Sequence, residues 1–219
     1  MRNRMQRGAS ALFGLMFSLM LNLMLAGAVF AQPASRGAGP EIKPFSGTLQ
    51  KIYESGVIRL GYRQNSPPFA FYDANRRPIG YALSLCEAVV EQIADKLHRK
   101  IDAQYVPVTP ANRFDLVRDG SVDLECGSTT ANAKRAEIVA FSPAMFVTGA
   151  KLAVRRDSGI RSLRDLQGKT IVLTKGTVHA EQLPQIAQRR GLKIDFIEAA
   201  DHDESLQAVL TGKADAFAN

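Results

Sequence analysis

The feature that most limits what this chain can become is an alternation of short apolar runs with longer amphipathic stretches, and it occurs twice. In the first set, residues 48–55 read as a helix that Thr48 caps and Gly56 stops, and residues 57–63 as an apolar-rich strand. Residues 82–98 read as a long helix whose buried stripe is Leu83, Leu85, Cys86, Val89, Val90, Ile93 and Leu97, and residues 101–108 as a second strand. A short helix from Arg113 to Gly120 and a brief strand over 122–125 complete the set. The second set has helices over 162–166, 177–190 and 201–210, interleaved with strands over 169–173, 193–197 and 214–217. Such alternation implies an α/β fold of mostly parallel sheets covered by helices on both faces. Between the sets, residues 141–154 are extended and proline-marked, too long for an ordinary loop and suited to a connection between two lobes. The expected division is a first lobe over 48–146, a connection over 147–155 and a second lobe over 156–219.

Residues 1–31 read as a secretory signal peptide. Arg2, Arg4 and Arg7 give a positive start, residues 11–30 are almost wholly apolar, and Ala31 supplies the small residue before cleavage. An uncleaved anchor is the alternative, because the run approaches the roughly 20 residues that span a bilayer. Residues 32–47 read as a flexible lead-in rich in Pro, Gly and Ala. The formal charge of +7 shrinks once the leader is removed, and the remaining cations are scattered among acids. With no basic stripe interleaved with aromatics, nucleic-acid binding is disfavoured, whereas a mildly basic surface suits a small anion. Two cysteines exclude a cysteine-rich scaffold and a four-thiolate zinc site. Cys86 reads as a buried thiol; export permits a disulfide with Cys126, which spacing alone does not settle.

Chemistry concentrates in residues 112–135. Gly127-Ser128-Thr129-Thr130 reads as a turn that opens a helix, where free amides and the helix dipole favour an anion. Arg113 and Arg135 flank it, and a planar guanidinium grips a carboxylate through two parallel hydrogen bonds. Arg63 stands at a strand's carboxyl end, where open α/β sheets collect ligands, unless it is a solvated strand-end charge. Residues 65–73 read as a rigid loop with three aromatics that either pack on a ligand or plug the sheet's end. In the second set, Lys175-Gly176-Thr177 repeats the amide-plus-hydroxyl arrangement, and His202 is either a donor to an acidic ligand or a surface helix-start residue. Gly168-Lys169-Thr170 lacks the first glycine of a phosphate loop and precedes a strand, so it is rejected as one. His98 reads as a helix-end cation. No acid–base pair, Ser-His-Asp grouping or metal-ligand spacing stands out.

Taken together, Gly61-Tyr62-Arg63, Pro68-Phe69, Gly80-Tyr81, Asn112-Arg113, the string Asp123-Leu124-Glu125-Cys126-Gly127-Ser128-Thr129-Thr130, Arg135, Ala140-Phe141-Ser142 and Asp201-His202 with Ser205 resemble family 3 periplasmic solute-binding proteins, in the glutamate/aspartate branch that feeds ABC importers. The resemblance implies a two-lobed type II periplasmic-binding-protein fold, a periplasmic monomer without cofactor or metal, and a membrane permease as partner. It implies that Arg113, Ser128 and Thr130 hold a ligand's α-carboxylate, that Arg63 and His202 meet its side-chain carboxylate, and that Thr177 and Arg135 complete the pocket. Val178 and Pro110 stand where the family carries hydroxyl residues. The family's ammonium-pairing carboxylate and the usual partner of Cys126 would lie beyond Asn219, so the chain reads as carboxyl-terminally truncated and is expected to bind weakly or fold incompletely. The alternative function on this fold is a periplasmic enzyme resembling cyclohexadienyl or arogenate dehydratases.

Overall fold

The computed structural model describes residues 45–219, so the expected signal peptide and most of the lead-in lie outside the described residues. In chain order the elements are α1 (Gly47–Ser55), β1 (Val57–Tyr62), β2 (Asn65–Ser66), β3 (Ala70–Tyr72), β4 (Pro78–Ile79), α2 (Tyr81–Leu97), β5 (Asp102–Pro107), α3 (Arg113–Arg118), β6 (Leu124–Glu125), α4 (Ala133–Ala136), β7 (Leu152–Val154), a 3-10 turn (Leu163–Leu166), β8 (Thr170–Thr174), α5 (Val178–Arg189), β9 (Asp195–Ala199), α6 (His202–Leu210) and β10 (Ala216–Ala218). The first half carries a parallel sheet in the order β5-β1-β6. The second carries β7-β10-β8-β9, parallel except for the antiparallel β7–β10 pair. In each sheet one inner strand, β1 or β8, has later strands on both sides, and the crevice at the carboxyl ends of such strands is where this architecture places ligands.

The same device pins one helix of each half to its sheet. In the first, Gly120 at positive φ ends α3, Val122 N donates to Leu116 O, and the Asp123 carboxylate accepts from Arg59 N of β1 at 2.8 Å. In the second, Gly212 ends α6, Ala214 N donates to Ala208 O, and the Asp215 carboxylate accepts from Thr170 N of β8 at 2.9 Å. Each aspartate also meets a lysine, Lys51 at 2.7 Å and Lys169 at 3.6 Å. The cores follow strand alternation: Ile171 and Leu173 face one cluster of the second sheet and Val172 the other.

Several expectations are corrected. Ser46, not Thr48, takes the cap position of α1. Residues 65–73 are no simple loop: β2 and β3 pair, and β4 extends them to a small antiparallel sheet. Strands of two or three residues are too short for a periodic signal. On α2, Leu83, Cys86, Val90 and Leu97 line the buried face, whereas Leu85 and Val89 are 38% and 44% exposed. At 3.6 residues per turn those two fall on the flank, and the buried stripe is narrower than the apolar pattern of the sequence.

Cys86 is bonded to Cys126, with Cα atoms 6.2 Å apart. The pairing replaces both the thiol expected at Cys86 and the partner for Cys126 expected beyond Asn219. Cys86 sits on the buried line of α2 and Cys126 directly follows β6, so helix and strand meet where the two side chains touch. No helix among the described residues is long and apolar enough to cross a membrane.

Candidate functional site

Three arginines of the first half, all expected at the site, are withdrawn from solvent: Arg63, Arg113 and Arg135 are 2%, 3% and 5% exposed. Arg63 follows the last residue of β1 instead of lying within the strand. Arg113 opens α3, and its place is fixed by a reciprocal turn in which Thr109 N donates to Asn112 Oδ1 at 2.8 Å and Asn112 N donates to Thr109 Oγ1 at 3.2 Å. Glu125 ends β6, and Cys126 N donates to Gly61 O at 2.7 Å, so the disulfide and the sheet together anchor the chain entering Gly127-Ser128. Gly127 lies against the Glu125 carboxylate and within 3.1 Å of Arg63 Cγ, measured from where a Cβ would stand. A side chain at 127 would displace both.

The turn itself differs from the expectation. Gly127-Ser128-Thr129-Thr130 does not open a helix; α4 begins at Ala133 and is capped by Asn132, whose Oδ1 accepts from Arg135 N at 2.9 Å. Thr130 is exposed and Ser128 partly buried. What Thr130 contributes is its carbonyl, to which Arg135 Nη1 donates at 2.9 Å. The asparagine captured the cap because it stands one residue before the helix with a side-chain oxygen in reach of the free amide.

The second half supplies uncharged polar groups at the matching strand ends. Thr174 ends β8 and is fully buried; its hydroxyl lies 2.7 Å from Ser205 Oγ and 3.0 Å from His202 Nδ1. Thr177 caps α5, accepting from Ala180 N at 3.2 Å and donating to Thr174 O at 2.7 Å. His202 is the first residue of α6, half-buried, with its ring 5.6 Å from that of Phe217.

The halves meet over Gly176. Arg113 Nη2 and Arg135 Nη2 both donate to Gly176 O at 3.1 Å, and Lys134 reaches Glu181 at 3.5 Å. Gly176 has φ +71° and abuts Pro110, whose carbonyl carbon lies 2.8 Å from where a Cβ would stand. Both guanidinium carbons also lie over the Phe114 ring, at 4.8 Å for Arg113 and 5.2 Å for Arg135. Arg113 and Arg135 thus meet beside Thr177 at one junction, which Thr130 joins through its backbone, while Arg63 and His202 lie near enough to feel the charge of Arg113 or of each other.

Electrostatics follow from that crowding. Burial, opposed by Glu125 but reinforced by Arg135 and Arg63, lowers the Arg113 guanidinium to about 10. Burial also lowers Arg63 and Arg135, each partly offset by Glu125. Burial raises the Glu125 carboxyl, and Arg113, Arg63 and Arg135 all oppose the rise. His202 is pushed down to about 4, first by burial and then by Arg63, so it is neutral near pH 7. Among the described residues, the buried side-chain polar atoms without a hydrogen-bond partner are Arg63 Nη2, Ser66 Oγ, Arg113 Nε, Glu125 Oε1 and Thr129 Oγ1. All five belong to the first half, and buried donors left this way are costly unless something accepts from them.

Sequence reasoning missed Glu125, Thr174, Phe114 and Ser66 as parts of this region. Glu125 was legible as a charged residue on a strand of a parallel sheet, where burial is the default. Nothing local in the sequence marked the other three, whose neighbours come from distant segments.

Residues 58–184 match the bacterial extracellular solute-binding proteins, family 3. The chain is 35% identical, over 88% of its length and 62% of the relative's, to a glutamate/aspartate import solute-binding protein of Salmonella typhimurium. It is 38% identical, over 78% of its length and 58% of the relative's, to an L-glutamate/L-aspartate-binding protein of Pseudomonas aeruginosa. Among solved structures it resembles an ancestral amino-acid-binding protein described as a precursor of cyclohexadienyl dehydratase, with TM-score 0.69 and 24% identity, over 79% of this chain and 74% of that one. The chain spans about three fifths of the length of these curated relatives. The fold is the two-lobed type II periplasmic-binding-protein fold, and the chain belongs to family 3 of the bacterial extracellular solute-binding proteins.

Proposed function

We propose that the protein captures an acidic amino acid, glutamate or aspartate, between its two lobes and presents it to the membrane permease of an ABC importer in the periplasm. The observation that carries this reading is the convergence of three buried guanidiniums, two of them with donor atoms lacking partners, on a wall of neutral hydroxyl and imidazole groups. Burying like charges together is unfavourable by itself and favourable once an anion with two carboxylates enters. In this reading Arg113, with Ser128 and Thr130, takes the α-carboxylate, Arg63 and His202 take the side-chain carboxylate, and Arg135 and Thr177 hold the frame.

The relatives named above support the ligand class, and the cross-lobe bonds to Gly176 support closure: groups from both lobes reach one point, so a ligand there would favour the closed form. The protein acts as a receptor in this account, without chemical turnover. A thermal-shift screen across the amino acids tests it, because a ligand that binds the folded state raises the melting temperature by mass action. L-Glutamate and L-aspartate are expected to raise it while glutamine and arginine leave it unchanged. A shift with neutral or basic amino acids alone would overturn the assignment, and turnover of a prephenate-like acid would favour a dehydratase.

A further inference from the structure

Two guanidiniums that share one carbonyl acceptor repel each other, and the Gly176 oxygen cannot by itself set their orientation. What they share besides Gly176 O is one benzene ring: Arg113 Cζ stands 4.8 Å and Arg135 Cζ 5.2 Å from the Phe114 centroid. Both distances lie within the range of about 6 Å over which an aromatic quadrupole attracts a cation, and the attraction grows where water is excluded. Phe114 is partly buried on α3, next in sequence to Arg113, and Arg135 comes from a different helix. The ring is therefore a second meeting point, besides Gly176 O, for cations from two separate helices.

We propose that Phe114 is a positioning residue for ligand capture, holding Arg113 and Arg135 side by side so that both reach the cleft. The inference rests on the proposed acidic ligand for its affinity readout, and its structural half stands apart from that reading. Without the ring, mutual repulsion would separate the guanidiniums: Arg135 would stay with the Thr130 carbonyl, and Arg113 would turn to solvent or another acceptor. The low setting of Arg113, caused by burial with Arg135 and Arg63 adding to it, is consistent with cations held close against that tendency.

The test compares Phe114→Leu, Phe114→Tyr and replacement of Phe114 by pentafluorophenylalanine in the full chain. The fluorinated ring keeps shape and apolar character while its face no longer attracts cations, so it separates positioning from packing. Expected results are L-glutamate binding weakened roughly tenfold in the leucine and fluorinated proteins and changed less than about threefold in the tyrosine protein. Arginine side-chain Nε–H resonances, assigned through Arg113→Lys and Arg135→Lys, are expected to carry a ring-current shift that the leucine protein loses. Parental affinity in the leucine and fluorinated proteins would overturn the proposal. If the parent ignores acidic amino acids, the ligand reading fails and the resonances decide: a shift lost in Phe114→Leu upholds the positioning role, and unchanged resonances refute it.

Discussion

The two lobes are built alike and equipped differently. In each, a glycine at positive φ ends a helix and an aspartate three residues on ties the returning chain to the backbone of an inner strand of the sheet, through Asp123 to Arg59 N and Asp215 to Thr170 N. Beyond that shared scaffold, the first lobe places three buried guanidiniums and the Glu125 carboxylate, with a buried oxygen, at its strand ends and on the short helices that follow them. The second places Thr174, Thr177, Ser205 and a neutral histidine at its own. The first lobe thus brings fixed charge to the junction, and the second brings uncharged dipoles. The Cys86–Cys126 bond belongs to the charged wall, where like charges press on the structure.

That asymmetry can be broken most forcefully at the disulfide. Cross-linking across 40 residues is worth roughly 4 kcal/mol in the chain-entropy account, and measured losses generally fall at or below that value. Cys86→Ala/Cys126→Ala is expected to destabilise by about 2–4 kcal/mol in urea melts. Hydrogen exchange should speed in β1, β5 and β6 more than in β8, β9 and β10. Uniform acceleration would mean that the lobes do not differ in this respect.

Arg113→Met separates binding from stability. Losing a buried charged donor is expected to weaken an acidic ligand by roughly 2–4 kcal/mol, read by calorimetry. The melting temperature of the ligand-free protein should hold or rise, because a desolvated cation beside two others has been removed. A large fall in ligand-free stability would show that the arginines support the fold as well as the site.

His202 tests the neutral wall through pH. Its folded-state value of about 4 lies below the ordinary 6.5, so the stability tied to its neutral form is complete above about 6.5 and is lost as pH falls toward 4. The loss amounts to at most about 3 kcal/mol and less after solvent screening, and His202→Gln should flatten that part of the stability profile. A bound carboxylate beside the ring would raise its value, so acidic ligands should take up protons near pH 5. Identical binding heats in buffers of different ionisation enthalpy at that pH would contradict this. The smallest effect is expected at the junction: Gly176→Ala introduces a Cβ against the Pro110 backbone at positive φ, costing about 1–2 kcal/mol of closure and binding while leaving each lobe's own exchange protection intact.

Much of the fold was readable because α/β alternation is a periodic signal, and Arg63, Arg113, Thr177 and His202 were readable because they follow strand ends or open helices. The pairing of Cys86 with Cys126 was not, since it depends on which face of α2 lies over β6, a fact of packing. The Gly127–Thr130 turn was misread because Asn132 competes for the helix cap, and two caps close together in sequence look alike until the backbone chooses. Phe114 escaped notice because a ring beside an arginine in a short helix has no periodicity of its own, and Arg135 comes over that ring only through folding.

Whether the buried charge of the first lobe selects the ligand is tested most directly by calorimetric titration of the full chain with L-glutamate and then L-glutamine. The two differ by one carboxylate against one amide, so the three guanidiniums should favour glutamate by roughly a hundredfold or more, equivalent to about 2.7 kcal/mol. Equal affinity for the two would show that the buried arginines do not read the side-chain charge, and the assignment to an acidic amino acid would fall.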